Sequence, residues 1–161
     1  MKNKVLIAVD ESQGALKAVE YAARTLGKDA RITLFNVFFK LPPEQAGEDQ
    51  EMGRHHHELY KERIKYLRQW FADQRALIEK AMEKAKGILT DAGIDSGNIQ
   101  VEIQERKKGV ARDILDELER GQYDTLVVGR RGLSAVKEFF LGSISSKIVQ
   151  HARKCAVWVV E

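Results

Sequence analysis

Thr125-Leu126-Val127-Val128-Gly129-Arg130-Arg131-Gly132, followed after nine residues by Gly142-Ser143-Ile144-Ser145, is the stretch that decides the fold. A short apolar run rich in branched residues delivers the chain to Gly129, and a helical pattern leaves from Ser143. The order is therefore strand, glycine-rich loop, helix N-terminus. Such a terminus leaves about four backbone N–H groups without intrahelical partners and carries roughly half a positive charge, which makes it a place for an anion. Glycines there permit positive φ and let a phosphate come close to the backbone. The spacing G-x2-G-x9-G-S is neither of the common phosphate loops, G-x-x-x-x-G-K-S/T and G-x-G-x-x-G, both absent from the chain.

Working outward, Lys4 to Val9 is continuously apolar after its first residue and ends at Asp10. Continuous rather than alternating apolarity predicts a strand buried on both faces, as in a parallel sheet. A loop, Asp10-Glu11-Ser12, leads into a helix carrying Ala15, Val19, Ala22, Ala23 and Leu26, with Gly27 as its stop. Arg31 to Val37 reads as the second strand. Ile99 to Ile103 alternates apolar and polar, as a half-exposed edge strand does. Gly109 opens and Gly121 closes the next helix, Thr125 to Val128 is the fourth strand, and Ala156 to Val160 is the fifth. Alternation of strands and helices predicts a doubly wound α/β fold, with helices on both faces of a five-stranded parallel sheet. Right-handed crossovers and the alternating edge strand favour the order 3-2-1-4-5. Ligands of such sheets sit beyond the carboxyl ends of the strands where the winding reverses. Asp10 and Gly129 meet there.

One segment does not fit a plain unit of this kind. Tyr60, Ile64, Leu67, Phe71, Ile78, Met82, Ala85, Leu89 and Ala92 trace a single apolar stripe with a charged opposite face. As one rod, residues 59 to 92 would span about 50 Å, roughly twice what covers a small sheet. Either the helix breaks near Ala72-Asp73, or its first half projects and packs against a partner. The preceding Lys40 to Gly53, with Pro42-Pro43 and several acids, reads as a mobile loop.

Composition limits the function classes. The chain has 161 residues, 43% hydrophobic and 32% charged, the balance of an ordinary globular protein. The expected organisation is one domain over 1–161 with a loop and helical insertion at about 40–72. Apolar runs such as Val5 to Val9 are far below the roughly 20 residues that cross a bilayer, and no signal-peptide pattern opens the chain. The single cysteine, Cys155, rules out an intramolecular disulfide or cysteine-based zinc cluster, so a reducing cytoplasm is the expected compartment. Residues 51 to 90 carry nine Lys/Arg against six Asp/Glu, which accounts for the whole net charge of +3. That excess reads as a solvated helix face rather than a nucleic-acid surface.

With these motifs in place the chain resembles the universal stress protein family, over nearly its whole length. The resemblance rests on Val9-Asp10-x-Ser12, on Gly129-x2-Gly132-x9-Gly142-Ser143, and on the short apolar C-terminal strand. The glycine spacing matches the ATP-binding branch without a gap. The resemblance implies an adenine nucleotide α-hydrolase-like fold, often homodimeric through the last strand, here residues 156–160. It implies binding of ATP or another adenine nucleotide, with magnesium. Gly129 and Gly132 would bring the backbone against ribose and phosphates. Of the basic pair between them, Arg130 and Arg131, either one touches a phosphate or both are solvated. Gly142 and Ser143 would cradle the distal phosphates, with Ser143 and Ser145 hydroxyls and nearby amides, Ile144 included, as donors. The Val37 backbone would meet adenine, and Val9-Asp10 would line the base or ribose side. The departures are the long middle helix and the basic Arg130-Arg131 pair.

Other readings stand beside this one. Asp10 could instead cap a helix with Ser12. A slow ATP hydrolase on the same fold is the alternative activity, and a non-nucleotide interaction module using the basic helix 54–90 is the alternative class. In His55-His56-His57, consecutive residues do not share a helix face, so a surface role is favoured over metal binding. Lys147 and His151 read as surface residues of the last helix, and Cys155 as buried and inert. Trp70 and Phe71 read as core or interface rather than as a ligand box.

Overall fold

The structure is a computed structural model that describes residues 3–40, 54–132 and 141–161. Its strands are β1 (Lys4–Ala8), β2 (Arg31–Phe38), β3 (Ile99–Glu105), β4 (Thr125–Gly129) and β5 (Ala156–Val160). Its helices are α1 (Gln13–Thr25), α2 (Arg54–Asp91), α3 (Val110–Gly121) and α4 (Ser143–His151), with a 3-10 turn at Ser96–Asn98. The strands form one parallel sheet in the order β3-β2-β1-β4-β5, as expected. At its centre Val5 pairs with Ile32 on one side and Thr125 on the other.

The apolar run of β1 has the predicted cause. Val5 and Ile7 point to a core shared with α1 and α2, through residues such as Val19, Met82 and Leu89. Leu6 points the other way, into a core with Ile114 and Leu118 of α3 and Ile148 of α4. Each fully buried side chain of this size stabilises the fold by about 1.5–3 kcal/mol. At the edge, β3 buries Ile99 but leaves Val101 exposed.

The structure decides three details of the helices. Of the two readings of α2, the break at Ala72-Asp73 falls and the single rod stands: the helix runs unbroken for 38 residues, about 57 Å. No Gly or Pro lies near the expected break. One i,i+4 contact bridges it, Gln69 Nε2 donating to Asp73 Oδ1 (2.9 Å), and a second follows it, Arg75 Nε donating to Glu79 Oε1 (2.9 Å). Its C-terminal half is held by Ile78, Met82, Ala85 and Leu89, while Leu59, Tyr60 and Tyr66 in the first half are exposed. Gly27 is not the stop of α1. The helix ends on an extended Leu26 whose N–H bonds the Ala22 carbonyl (2.8 Å). α3 closes at Gly121, as expected, and the left-handed residue follows it at Gln122 (φ 51). Gly121 is demanded by space, since a Cβ there would lie 2.1 Å from the Tyr123 ring. The loop expected at Lys40 to Gly53 lies, beyond Lys40, outside the described residues, as do the side chains of His55, His56 and His57.

Candidate functional site

At the end of β1, Asp10 begins the turn into α1. Its Oδ1 accepts from the Ser12 N–H (2.9 Å) and from the Ser12 hydroxyl, and Ser12 Oγ in turn accepts from the Ala15 N–H (3.2 Å) as the N-cap of α1. The capping role weighed for Asp10 is thus real, but it occupies one oxygen. The other, Oδ2, faces Gly132: a Cβ built there would lie 2.9 Å from it.

The loop after β4 folds tightly over this turn. A Cβ on Gly129 would come within 2.7 Å of the Gly14 backbone, and one on Gly14 within 2.5 Å of the Arg131 carbonyl oxygen. Neither glycine takes a positive φ. Close backbone approach, rather than unusual dihedrals, is why they are glycines. Gly142 N–H closes the loop on the Arg130 carbonyl (3.0 Å), and the Ser145 hydroxyl donates to the Gly129 carbonyl (2.8 Å), tying α4 to β4. The Ser145 proton expected to serve a phosphate is therefore already used within the fold. α4 starts at Gly142 with no side-chain cap and no acid in its first turn. Its first amides, from Ser143 onward, lie ahead of the intrahelical ladder, which begins with Ser146 N–H to Gly142 O (2.8 Å).

These groups line a cavity of about 380 Å3 at the carboxyl ends of β1, β2 and β4. That is within the range of small-molecule sites, about 300–1,000 Å3. Of the residues expected, Val9, Asp10, Val37, Gly129 and Gly132 line it, as do Gly142, Ser143, Ile144 and Ser145. Arg130 does not: its guanidinium pairs with Glu161, and its N–H bonds the Val160 carbonyl (2.6 Å), so it faces β5. Arg131 takes the place beside the cavity. Among the described residues, the buried side-chain atoms without hydrogen-bond partners are Arg131 Nε and Asn36 Oδ1, and both residues line this cavity. Asn36 Nδ2 is fixed on the Val9 carbonyl (2.7 Å).

The opposite wall escaped the sequence reading. Phe38 and Phe39 from the end of β2, with Trp70, Phe71, Gln74 and Ile78 from α2, enclose the cavity. The Trp70 and Phe71 rings meet edge to face at 5.0 Å, and Phe71 lies 5.5 Å from Phe39. Trp70 and Phe71 were expected to be core or interface; helical spacing alone cannot say that α2 passes over the sheet's carboxyl edge. Elsewhere, Cys155 is half-buried rather than buried as expected, and desolvation raises its thiol pKa, in keeping with an inert cysteine. Among the described residues no cluster of three His, Cys, Asp or Glu is placed to hold a metal, and no helix is long and apolar enough to cross a membrane.

A doubly wound parallel sheet, a glycine loop after β4 and a crevice at the winding reversal define an α/β protein of the adenine nucleotide α-hydrolase-like fold. The Universal stress protein family matches residues 1–161, and the chain belongs to that family. It is 29% identical over 160 residues to a universal stress protein of Staphylococcus haemolyticus, covering 97% of this chain and 82% of the relative. Among solved structures it shares its fold with universal stress protein UspA from Lactobacillus plantarum (22% identity, TM-score 0.68, 99% and 97% of the two chains). It also shares it with a universal stress protein family member from Arabidopsis thaliana with AMP bound (20% identity, TM-score 0.62, 98% and 90%).

Proposed function

We propose that this universal stress protein binds ATP or a related adenine nucleotide in the cavity between Asp10, the glycine loop and α2, and acts as a regulatory binding protein. The observation that carries the reading is the polarity of the cavity. At one end the uncapped N-terminus of α4 offers backbone N–H groups, and Arg131 is among the lining residues. At the other end the wall is aromatic. Neighbouring strands lie about 4.8 Å apart, so β2 and β4 stand roughly 10 Å from one another. A ligand that is anionic at one end and flat and apolar at the other fits that span, as a nucleotide does. The Arabidopsis thaliana relative with AMP bound supports the adenine assignment.

Magnesium would arrive with the phosphates, since that ion is commonly held by one or two carboxylates plus substrate oxygens. Asp10 Oδ2, the oxygen outside the cap, is the carboxylate suited to it. Binding rather than turnover is the activity proposed. Phosphoryl transfer asks for a positioned base or water-orienting group, and Asp10 already spends one oxygen on α1. The protein would work in the cytoplasm as a homodimer paired through β5.

Calorimetric titration of the purified chain with ATP, with and without magnesium, tests the claim. Saturable binding is expected. Ser143→Asp sets a negative charge where the phosphates would lie and should abolish it, without loss of the folded circular-dichroism spectrum. No heat at millimolar ATP, or an unimpaired Ser143→Asp, sinks the proposal.

A further inference from the structure

The inner face of α2 repeats at intervals of three and four: Phe71, Gln74, Ile78, Met82, Ala85, Leu89. From Ile78 onward each of these is buried in the core. Gln74 breaks the apolar series, and it does so where the helix passes over the cavity. The residue is half-buried, and its carboxamide makes no hydrogen bond to any described residue. Helix formation does not require glutamine there, because Leu or Met would serve as well. The Trp70, Phe71 and Phe39 rings form a continuous aromatic surface on the same wall.

We propose that Gln74 reads the base of the bound nucleotide, with Phe71 and Trp70 as the surface against which that base packs. The proposal rests on the nucleotide-binding reading above and assigns its specificity to a helix outside the glycine motif. A carboxamide presents a donor and an acceptor side by side. Adenine offers the complementary pair, an amino group beside a ring nitrogen, whereas guanine presents two acceptors at the same edge. A glutamine with no hydrogen-bond partner among the described residues therefore favours a 6-amino purine over a 6-oxo purine. Ile78 and Phe71, on either side of it along the stripe, keep the amide over the cavity.

The test measures the affinities of the wild type and Gln74→Leu for ATP and for GTP by calorimetry, with thermal melts to confirm folding. The wild type should prefer ATP. Gln74→Leu should lose about tenfold on ATP and little on GTP, so that the preference collapses, in line with the discrimination of a bidentate amide contact. A second readout needs no change at Gln74. The chain has two tryptophans, and Trp158 packs against Tyr21 (5.8 Å) rather than in the cavity. ATP should change the emission of Trp158→Phe and leave that of Trp70→Phe unaltered. Full retention of ATP affinity and preference by Gln74→Leu overturns this assignment while nucleotide binding stands. A Trp158→Phe emission indifferent to saturating ATP overturns the aromatic surface in the same way. A wild type that binds neither nucleotide overturns both readings together.

Discussion

Asp113 shows how one side chain prepares the ground for a helix. It is buried, and its carboxylate accepts from the backbone N–H groups of Lys107 (2.8 Å), Lys108 (3.0 Å) and Gly109 (3.4 Å), the turn that feeds α3. Burial by itself raises its pKa, but the three amide donors and the nearby Lys107 charge together outweigh it, and the carboxyl sits below its ordinary value. A depressed folded-state pKa contributes stability that is present above the unfolded value, about 3.9, and is lost as pH falls through the folded one. Asp113→Asn turns one acceptor into a donor facing amide donors. It should cost about 1–3 kcal/mol at pH 7 by urea denaturation, and the gap from wild type should narrow on acidification below about pH 4. A gap that stays constant down to pH 2 would count against the charge as the cause. Close to the cavity, Gly14 plays a comparable local part. It has no motif to announce it, and its need appears only when the Arg131 carbonyl is seen lying against it.

α2 is the element that makes this chain unlike a bare doubly wound sheet. One half seals a core, the middle forms a cavity wall, and the first half carries exposed Leu59, Tyr60 and Tyr66. Its length depends on local helix-forming strength more than most buried helices do, because packing holds it along part of its length. Gly87 is a weak point in that respect: a Cβ there would meet nothing within 4 Å. Gly87→Ala should therefore raise stability by about 0.5–1 kcal/mol, by restricting the unfolded chain. A rise in the urea midpoint at unchanged slope is the expected result, and a fall would mean that the open space is closed in solution. The periodicity of α2 was legible in the sequence. Its continuity was not, because a ~57 Å rod looks too long for a small sheet until the i,i+4 contacts through Asp73 and Glu79 are seen.

At the scale of the molecule, β5 forms one edge of the sheet, as β3 forms the other. The Ala156 N–H and the Val160 carbonyl bond the β4 side, so alternation turns the Val157 and Val159 peptide groups outward. An edge that no described strand covers invites pairing, and two-fold pairing with a second copy would satisfy both edges. Val159→Pro removes one outward N–H without touching the β4 ladder. Sedimentation should show a dimer for the wild type and a monomer for the variant; a dimer in both would place the proposed interface elsewhere.

The strand order, the doubly wound class and the position of the crevice followed from the sequence by itself. They depend on local signals: continuous apolarity in β1, alternation in β3, and glycines after β4. The residues Val9, Asp10, Gly129, Gly132, Gly142 and Ser143 were found on the cavity because each sits at a strand end or loop fixed by that topology. Tertiary structure alone decided which arginine faces the cavity. Arg130 and Arg131 are indistinguishable as neighbours in sequence, and the strand register sends the first to Glu161 and leaves the second beside the cavity. It also decided that Gln74, Phe71 and Trp70 belong to the same wall as Phe39. That juxtaposition depends on where α2 crosses the sheet, and a crossing is a matter of packing between distant segments that no local pattern encodes.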